Sequence, residues 1–218
     1  WESAPRFEEA DQAYMERADP ARAAFANESY EALYREDPED WEAAWRLAMT
    51  SYYLGSRVAK EKPEKEALLA RGRDVAQAST LLNPDCAPCH LLAGINMGLY
   101  GQSVGVVKMI FTLGEIRGHL RRSLELDPGF AEGAAARTLA TIDQVVPFFL
   151  GGSKRRAQQN YVLALEIDHR EPLNYLFYAR FLAGRQEFKA ALDLTRRGLA
   201  LPRPGPERVE SRGGLLYT

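Results

Sequence analysis

The chain's two cysteines and one of its three histidines lie together in the segment "PDCAPCH". A helix that begins after this segment's first proline, with Asp85 as its N-cap, places Cys86, Cys89 and His90 on one face of its first turn. The positive end of a helix dipole stabilises thiolates there, and the pair can close to a disulfide in an oxidising compartment. The spacing leaves open a disulfide, a free thiol pair, covalent haem c and zinc.

Cys-x-x-Cys-His is the string to which haem c is attached. Both thiols would add to the vinyl groups, and His90 would supply the proximal nitrogen to iron. Met97, two turns along the same face, is the candidate sixth ligand, with Met109 and His119 as alternatives. Zinc would need a distant histidine as a further ligand. We favour no cofactor, because a helix inside a repeat stack leaves little room for a porphyrin.

Composition limits the function classes. The 218 residues carry a net charge of −2, which gives no support to general nucleic-acid or membrane-surface binding. The charge is uneven, since residues 1–40 hold twelve acidic and four basic side chains. The longest apolar runs are shorter than a membrane span, and the sequence itself shows no secretory signal. We therefore expect membrane association only through a removed leader or a lipid anchor.

Catalytic motifs are missing from the sequence. The stretch "GLYGQSVG" has neither the lysine nor the preceding strand of a phosphate-binding loop. No serine stands in a recognisable nucleophile elbow with a nearby histidine and acid. The residues therefore predict a protein that is not an enzyme.

Helix signals dominate the chain. Asp19 before Pro20 is predicted to cap one helix and Ser153 another. Caps and apolar spacing predict about ten helices, at approximately 6–18, 21–36, 40–55, 64–82, 86–100, 105–126, 130–146, 154–167, 172–184 and 187–201.

Short motifs recur among these helices. "SLELDP" echoes "ALEIDH", and Ala157 and Ala164 are matched 34 residues later by Ala191 and Gly198. In this spacing the chain resembles a tetratricopeptide repeat (TPR) protein, whose unit is an antiparallel helix pair. The predicted fold is all-α, a TPR-like superhelix of antiparallel helix pairs with two insertions.

The predicted repeat domain covers residues 1–201. Two units exceed 34 residues, and their extra length falls around Ser56–Pro63 and Asn96–Leu113. The units run approximately over 6–38, 39–84, 85–128, 129–169 and 170–201, and a Pro/Gly-containing tail follows at 202–218.

A narrower resemblance covers roughly residues 84–200. "INMGLYGQSVGVVKMI", which contains Lys108, "LELDPGFAEGAAARTLA" and "VPFFLGGSKRRAQQNYVLALEID" are similar to the T-component proteins of bacterial tripartite TRAP transporters. The resemblance implies a periplasmic or outer-membrane-associated scaffold, often a lipoprotein. It also implies contact with a substrate-binding protein or membrane complex, and a small apolar ligand.

The first helix of each unit lines the concave surface of a TPR-like stack. Aromatic side chains and arginine suit recognition there, although most aromatics at repeat spacing pack between helices. The predicted partner- or ligand-binding residues on these helices are Trp45, Tyr52, Asn96, Tyr100, Arg137, Tyr175 and Tyr178. Asn96 and Arg137 stand out because a polar group inside an apolar groove requires a partner, which is either a ligand or a structural hydrogen bond.

The loop "VPFFLGGS" places Phe148 and Phe149 beside two glycines, where a short polar turn is expected. The two rings are further binding candidates, because they could cap a hydrophobic groove or insert into a neighbouring protein. We favour their burial against residues 97–113, where both segments would wall an apolar pocket.

The sequence therefore predicts a non-enzymatic, extracytoplasmic TPR scaffold that binds a partner protein, a small apolar ligand or both. The alternative is a TPR protein that carries one haem c at Cys86, Cys89 and His90, for electron transfer or complex assembly.

Overall fold

The structure is a computed structural model that describes residues 4–202 and, for 106–110, the backbone alone. Predictions that concern Trp1, the Lys108 and Met109 side chains and the tail after residue 202 lie outside this part. Within it, ten α-helices and no β-strand are present, which confirms the predicted all-α class. The helices are α1 (Glu8–Met15), α2 (Pro20–Glu36), α3 (Trp41–Tyr53), α4 (Lys62–Leu82), α5 (Ala87–Val104), α6 (Val106–Leu126), α7 (Ala134–Val145), α8 (Lys154–Ile167), α9 (Pro172–Gly184) and α10 (Phe188–Leu199).

Side-chain caps fix several helix starts. Asp19 accepts a hydrogen bond from the Ala21 N–H at the start of α2, and Ser153 caps α8, as the sequence predicts. The predicted cap at Asp85 is wrong. Cys86 is the N-cap of α5, and the Asp85 carboxylate instead pairs with Arg122 of α6.

The extra length of the two long repeat units is taken up largely by helix. Around the first expected insertion, α3 runs into a π-helical turn at Leu54–Val58, and α4 extends over 21 residues. Around the second, α5 spans 18 residues and α6 spans 21. Gly105, with a φ of +128°, separates these two helices in a backbone conformation that suits glycine.

Packing divides the chain into two compact units, Trp1–Leu126 with α1–α6 and Asp127–Thr218 with α7–α10. In the first unit each helix packs on the next, and α3 also packs on α5, as in stacked helix pairs. The Asn96 amide of α5 donates to the carbonyl oxygens of Ala48 in α3 and Leu92 in its own helix. Gly72 of α4 lies so close to this amide that a methyl group there would collide with it.

The second unit has its own core, built from small residues and aromatic rings. Helix α9 packs on α7, α8 and α10, and Tyr161 of α8 lies among Tyr178 and Phe181 of α9. Gly198 of α10 lets α10 approach α9, because a Cβ there would lie 2.8 Å from Cβ of Tyr175. The small residue that the repeat pattern places at 198 therefore serves close helix packing.

Among the described helices, none is both long and apolar enough to cross a membrane.

Candidate partner-binding site

The predicted binding residues of the first unit mainly serve its packing. Trp45 is 3% exposed and lies against the guanidinium of Arg46, at 4.4 Å from ring to Cζ. Asn96 is completely buried in the hydrogen bonds described above. Tyr100 is half-buried under the guanidinium of Arg73, at 4.2 Å, and Tyr52 is half-buried. Of this group, only Tyr52 and Tyr100 keep surface that a partner can reach.

The Cys-x-x-Cys-His segment forms a tight corner at the start of α5. Cys86 and Cys89 are joined by a disulfide, and the Cys86 sulfur accepts a hydrogen bond from the Cys89 N–H at 3.1 Å. Nδ1 of His90 lies 2.9 Å from Nδ1 of His119 in α6, and Nε2 of His90 lies 3.0 Å from the Pro84 carbonyl oxygen. Since a carbonyl only accepts, Nε2 of His90 carries a hydrogen, and in the neutral ring Nδ1 then accepts from the His119 ring.

Burial lowers the pKa of His119, and the neighbouring His90 ring adds to this effect. Glu115, one turn earlier in α6, opposes the shift with an oxygen 3.9 Å from Nε2 of His119. The corner is therefore a structural link between α5 and α6 in which the His119 ring resists protonation.

Haem attachment would involve the same two cysteine sulfurs and the same His90 ring, but with the cysteines reduced. It requires both sulfurs as thiols, so it excludes the disulfide, and it would take His90 from its hydrogen bonds. Met97 is buried on α5, with its sulfur 3.8 Å from Nε2 of Gln77. Haem c stays a prediction, which Soret absorption of the protein purified from its own host tests.

The second unit contains a buried cationic side chain, that of the predicted binding residue Arg137. Arg137 in the first turns of α7 is 5% exposed. Its Nη1 donates to Oδ1 of Asn174 in α9 at 2.6 Å, and its Cζ lies 5.9 Å from the centroid of the Phe177 ring. The Asn174 amide is itself held by three carbonyl oxygens, those of Glu132, Ala164 and Asp168. Asn174 therefore fixes the position of the guanidinium but brings no negative charge.

No carboxylate in the described part of the chain forms an ion pair with Arg137. The buried Arg46, by contrast, lies 3.4 Å from Oδ1 of Asp11. Arg17 also forms no ion pair with an acid within the described residues. Its Cζ, however, lies 4.3 Å from the centroid of the Tyr14 ring and 5.6 Å from that of the Tyr53 ring. Arg137 is thus a buried charge whose partners are one neutral amide and one distant ring.

Hydroxyl groups and aromatic rings continue along α7, α8 and α9 beyond this cation. One turn along α7, Thr141 lies 3.3 Å from the Tyr161 hydroxyl, and the Tyr161 ring stacks on Tyr178 at 5.8 Å. Burial raises the pKa of Tyr161, and the positive charge of Arg137 opposes that shift. We define the α7–α9 face by Arg137, Thr141, Phe177 and Tyr178. Two of the predicted residues, Arg137 and Tyr178, belong to this face.

Two other predictions in this unit have different outcomes. Tyr175 is buried between α9 and α10, and its hydroxyl donates to the His169 carbonyl oxygen at 2.8 Å. It borders a cavity of about 110 Å³, well below the roughly 300–1,000 Å³ of typical small-molecule sites. The favoured burial of Phe148 and Phe149 is wrong, because these rings are 90% and 81% exposed.

Sequence reasoning missed Asn174 and Phe177, which complete the surroundings of Arg137. The signal was present but ambiguous. Both residues belong to the run "PLNYLFYARFLAG", in which nearly every position is apolar or aromatic and no single face stands out.

Comparison with known proteins identifies the fold and the family. Two crystal structures of MamA align with the chain: one has a TM-score of 0.53 and 14% identity over 83% of this chain and 88% of MamA, the other a TM-score of 0.50 and 16% identity over 88% and 91%. At this identity the likeness shows the fold, which is TPR-like as predicted. No curated protein matches the sequence. Residues 6–133 match the family described as "Regulator of microtubule dynamics protein 1-3", and because this is more than half of the sequence, the chain belongs to that family.

Proposed function

We propose that the protein is a non-enzymatic TPR-like scaffold, which binds an acidic segment of a partner protein on the α7–α9 face. One observation carries this proposal: Arg137 is 5% exposed and forms no ion pair with any carboxylate in the described residues. Phe177 lies near the charge, and Phe177 and the neighbouring Tyr178 of α9 would supply apolar contact area to the partner's backbone and side chains.

Burial of an unpaired cation destabilises a fold. Removing a charge from water costs several kcal/mol, and only an opposite charge in good geometry offsets most of that cost. Asn174 supplies about one hydrogen bond in exchange, and the Phe177 ring is at the edge of cation–π range. A leucine or methionine would fill the same space at lower cost, so the charge is best explained by a ligand that neutralises it.

The chemistry of the ligand follows from the guanidinium. Its planar fork of N–H donors matches the two oxygens of a carboxylate, and Nη1 is already fixed by Asn174. An aspartate or glutamate side chain, or a chain-terminal carboxylate, fits this geometry.

The test is the affinity of the protein for a labelled polyglutamate peptide, with polyglutamine of the same length as the neutral control. We expect Arg137→Met to weaken polyglutamate binding by about 30-fold or more, since truncating one side of a buried charge pair typically costs 2–5 kcal/mol. Arg137→Lys keeps the positive charge but loses the planar fork of N–H donors. Its affinity for polyglutamate should therefore lie between those of the wild type and Arg137→Met.

Arg196→Met is the matched control, because Arg196 is an exposed arginine of the same unit. Its effect should stay below about threefold, as for other solvated charges. Circular dichroism verifies that each variant is folded. Equal losses at Arg137 and Arg196, or no preference of the wild type for polyglutamate, would contradict the proposed site.

The identity and location of the partner are further proposals. The family description concerns microtubule dynamics, so microtubules are one protein partner to test by co-sedimentation. The resemblance to TRAP T-components instead favours a substrate-binding protein or membrane complex outside the cytoplasm. The Cys86–Cys89 disulfide supports that location, because cytosolic thiols are kept reduced. Maleimide labelling of both cysteines in intact host cells, before any reductant is added, would argue against it.

A further inference from the structure

The loop between α7 and α8 presents two aromatic rings to solvent. Phe148 and Phe149 are 90% and 81% exposed, and Val145, the last residue of α7, is exposed beside them in sequence. Single exposed apolar residues are ordinary, but two adjacent phenylalanines with most of their surface in water are not. We call residues 145–150 the Phe loop.

The Phe loop is held in place rather than loosely attached. Arg156 of α8 bonds both carboxylate oxygens of Asp143, at 2.9 and 3.0 Å, and the Gly151 carbonyl oxygen at 2.6 Å. The Ser153 N–H donates to the Asp143 carbonyl oxygen at 3.0 Å. Gly152 packs directly on the backbone of Val146, where no Cβ would fit. The fold therefore fixes the loop in a shape that leaves both rings uncovered.

The net charge next to the Phe loop is positive. From residue 144 to 165 the sequence contains three cations and no aspartate or glutamate. Arg156 is neutralised by Asp143, but Lys154 and Arg155 are exposed and form no ion pair with described residues. The Lys154 ammonium contacts the Gln144 carbonyl oxygen, at the base of the loop. Two cations are thus left to meet an anionic surface.

We propose that the Phe loop is a peripheral membrane-contact site, at which both phenylalanine rings enter the headgroup region and Lys154 and Arg155 face anionic lipids. Aromatic and apolar side chains next to lysine and arginine are the combination that binds such interfaces. The two cations favour an anionic membrane over an apolar pocket in another protein, because binding to such a pocket would not require positive charges beside the rings. The site lies at the opposite end of α7 from Arg137 and does not depend on binding at the α7–α9 face.

The experiment is sedimentation of the full chain with vesicles of phosphatidylcholine and phosphatidylserine at about 7:3, and with pure phosphatidylcholine vesicles. We expect binding to the mixed vesicles that falls as salt is raised. Phe148→Ser with Phe149→Ser should lower it by about tenfold or more, because the apolar contribution is lost. Arg155→Gln should lower it by about fivefold, the effect of one cation at an anionic surface.

Phe111→Ser is the matched control, because Phe111 of α6 is 85% exposed and lies in the other unit. It should bind mixed vesicles like the wild type. The proposal is overturned if the wild type does not bind mixed vesicles, which is the result expected of a loop that docks into a protein pocket. It is also overturned if the Phe148/Phe149 variant binds as well as the Phe111 variant. All substituted side chains are exposed, so loss of folding is not expected, and circular dichroism verifies this.

Discussion

Alanine at Gly94 is expected to destabilise the first unit, whereas alanine at Gly98, one turn later in α5, is expected to stabilise it. A Cβ at Gly94 would lie 2.8 Å from Cγ of Leu120 and 3.3 Å from the Ile116 carbonyl oxygen. Leu120 is completely buried in α6, so it has little room to move away. Among the described residues, no atom lies within 4 Å of a Cβ at Gly98, apart from the helix's own neighbouring backbone.

The size of the effect follows from two opposing contributions. Alanine is favoured over glycine inside a helix by roughly 0.5–1 kcal/mol, and Gly98→Ala should gain that amount. Gly94→Ala gains the same propensity but overpacks the α5–α6 contact, which typically costs about 1–3 kcal/mol. The two variants should therefore differ by about 1–3 kcal/mol in free energy of unfolding, with Gly94→Ala the less stable.

Urea unfolding followed by far-UV circular dichroism measures the difference. Hydrogen exchange of the α5 and α6 amides then shows that the change lies in the first unit. A double-mutant cycle with Leu120→Val tests the cause, since the smaller side chain should be tolerated better in the Gly94→Ala variant than in the wild type. If Gly94→Ala is as stable as Gly98→Ala, or if the cycle shows no coupling, the close approach of α5 and α6 at this position is incorrect.

Two further predictions concern the corner at the start of α5. Because the folded-state pKa of His119 is lowered, the unfolded chain binds more protons, so the free energy of unfolding should fall as pH drops through about 6.5 and level off below the folded pKa. Urea titrations between pH 8 and 5 measure this slope, which His119→Gln should flatten; an unchanged slope in the variant would refute the assignment. Reduction of the Cys86–Cys89 disulfide should lower the free energy of unfolding by about 2 kcal/mol, the chain-entropy estimate for so short a loop. Unfolding with and without dithiothreitol measures it, and a Cys86→Ser/Cys89→Ser variant that still responds to reductant would contradict it.

The fold was largely predictable because local and global signals agree in this chain. Helix starts depend on residues that are adjacent in sequence, as at Asp19, whose carboxylate caps α2 directly before Pro20. The exception is α5, where Asp85 directly follows Pro84 and the next residue, Cys86, can also cap a helix. Sequence alone does not choose between them, because the choice depends on Arg122 of α6, which holds the Asp85 carboxylate.

The binding surface was less predictable, because burial is a property of the assembled unit. Trp45 and Asn96 stand at positions that line a concave surface in an idealised repeat, yet both are buried by neighbouring helices. Arg137 was identified by its polarity in an apolar helix. Whether it has an acidic partner depends on α9, and there the side chain that accepts its hydrogen bond is the neutral amide of Asn174. The exposure of Phe148 depends on the brace of the Phe loop, which its own residue type does not encode.

The two features that carry the proposals violate opposite rules of folding. Arg137 is a charge inside, and the Phe loop is apolar surface outside; packing of the second unit alone would favour neither residue type at its position. Both lie beyond residue 133, whereas the match to the family covers residues 6–133, which correspond almost entirely to the first unit. Family membership therefore rests on the half of the chain whose predicted binding residues mainly serve packing. What the second unit binds can differ from what other family members bind, and the Arg137 and Phe148/Phe149 variants examine it directly.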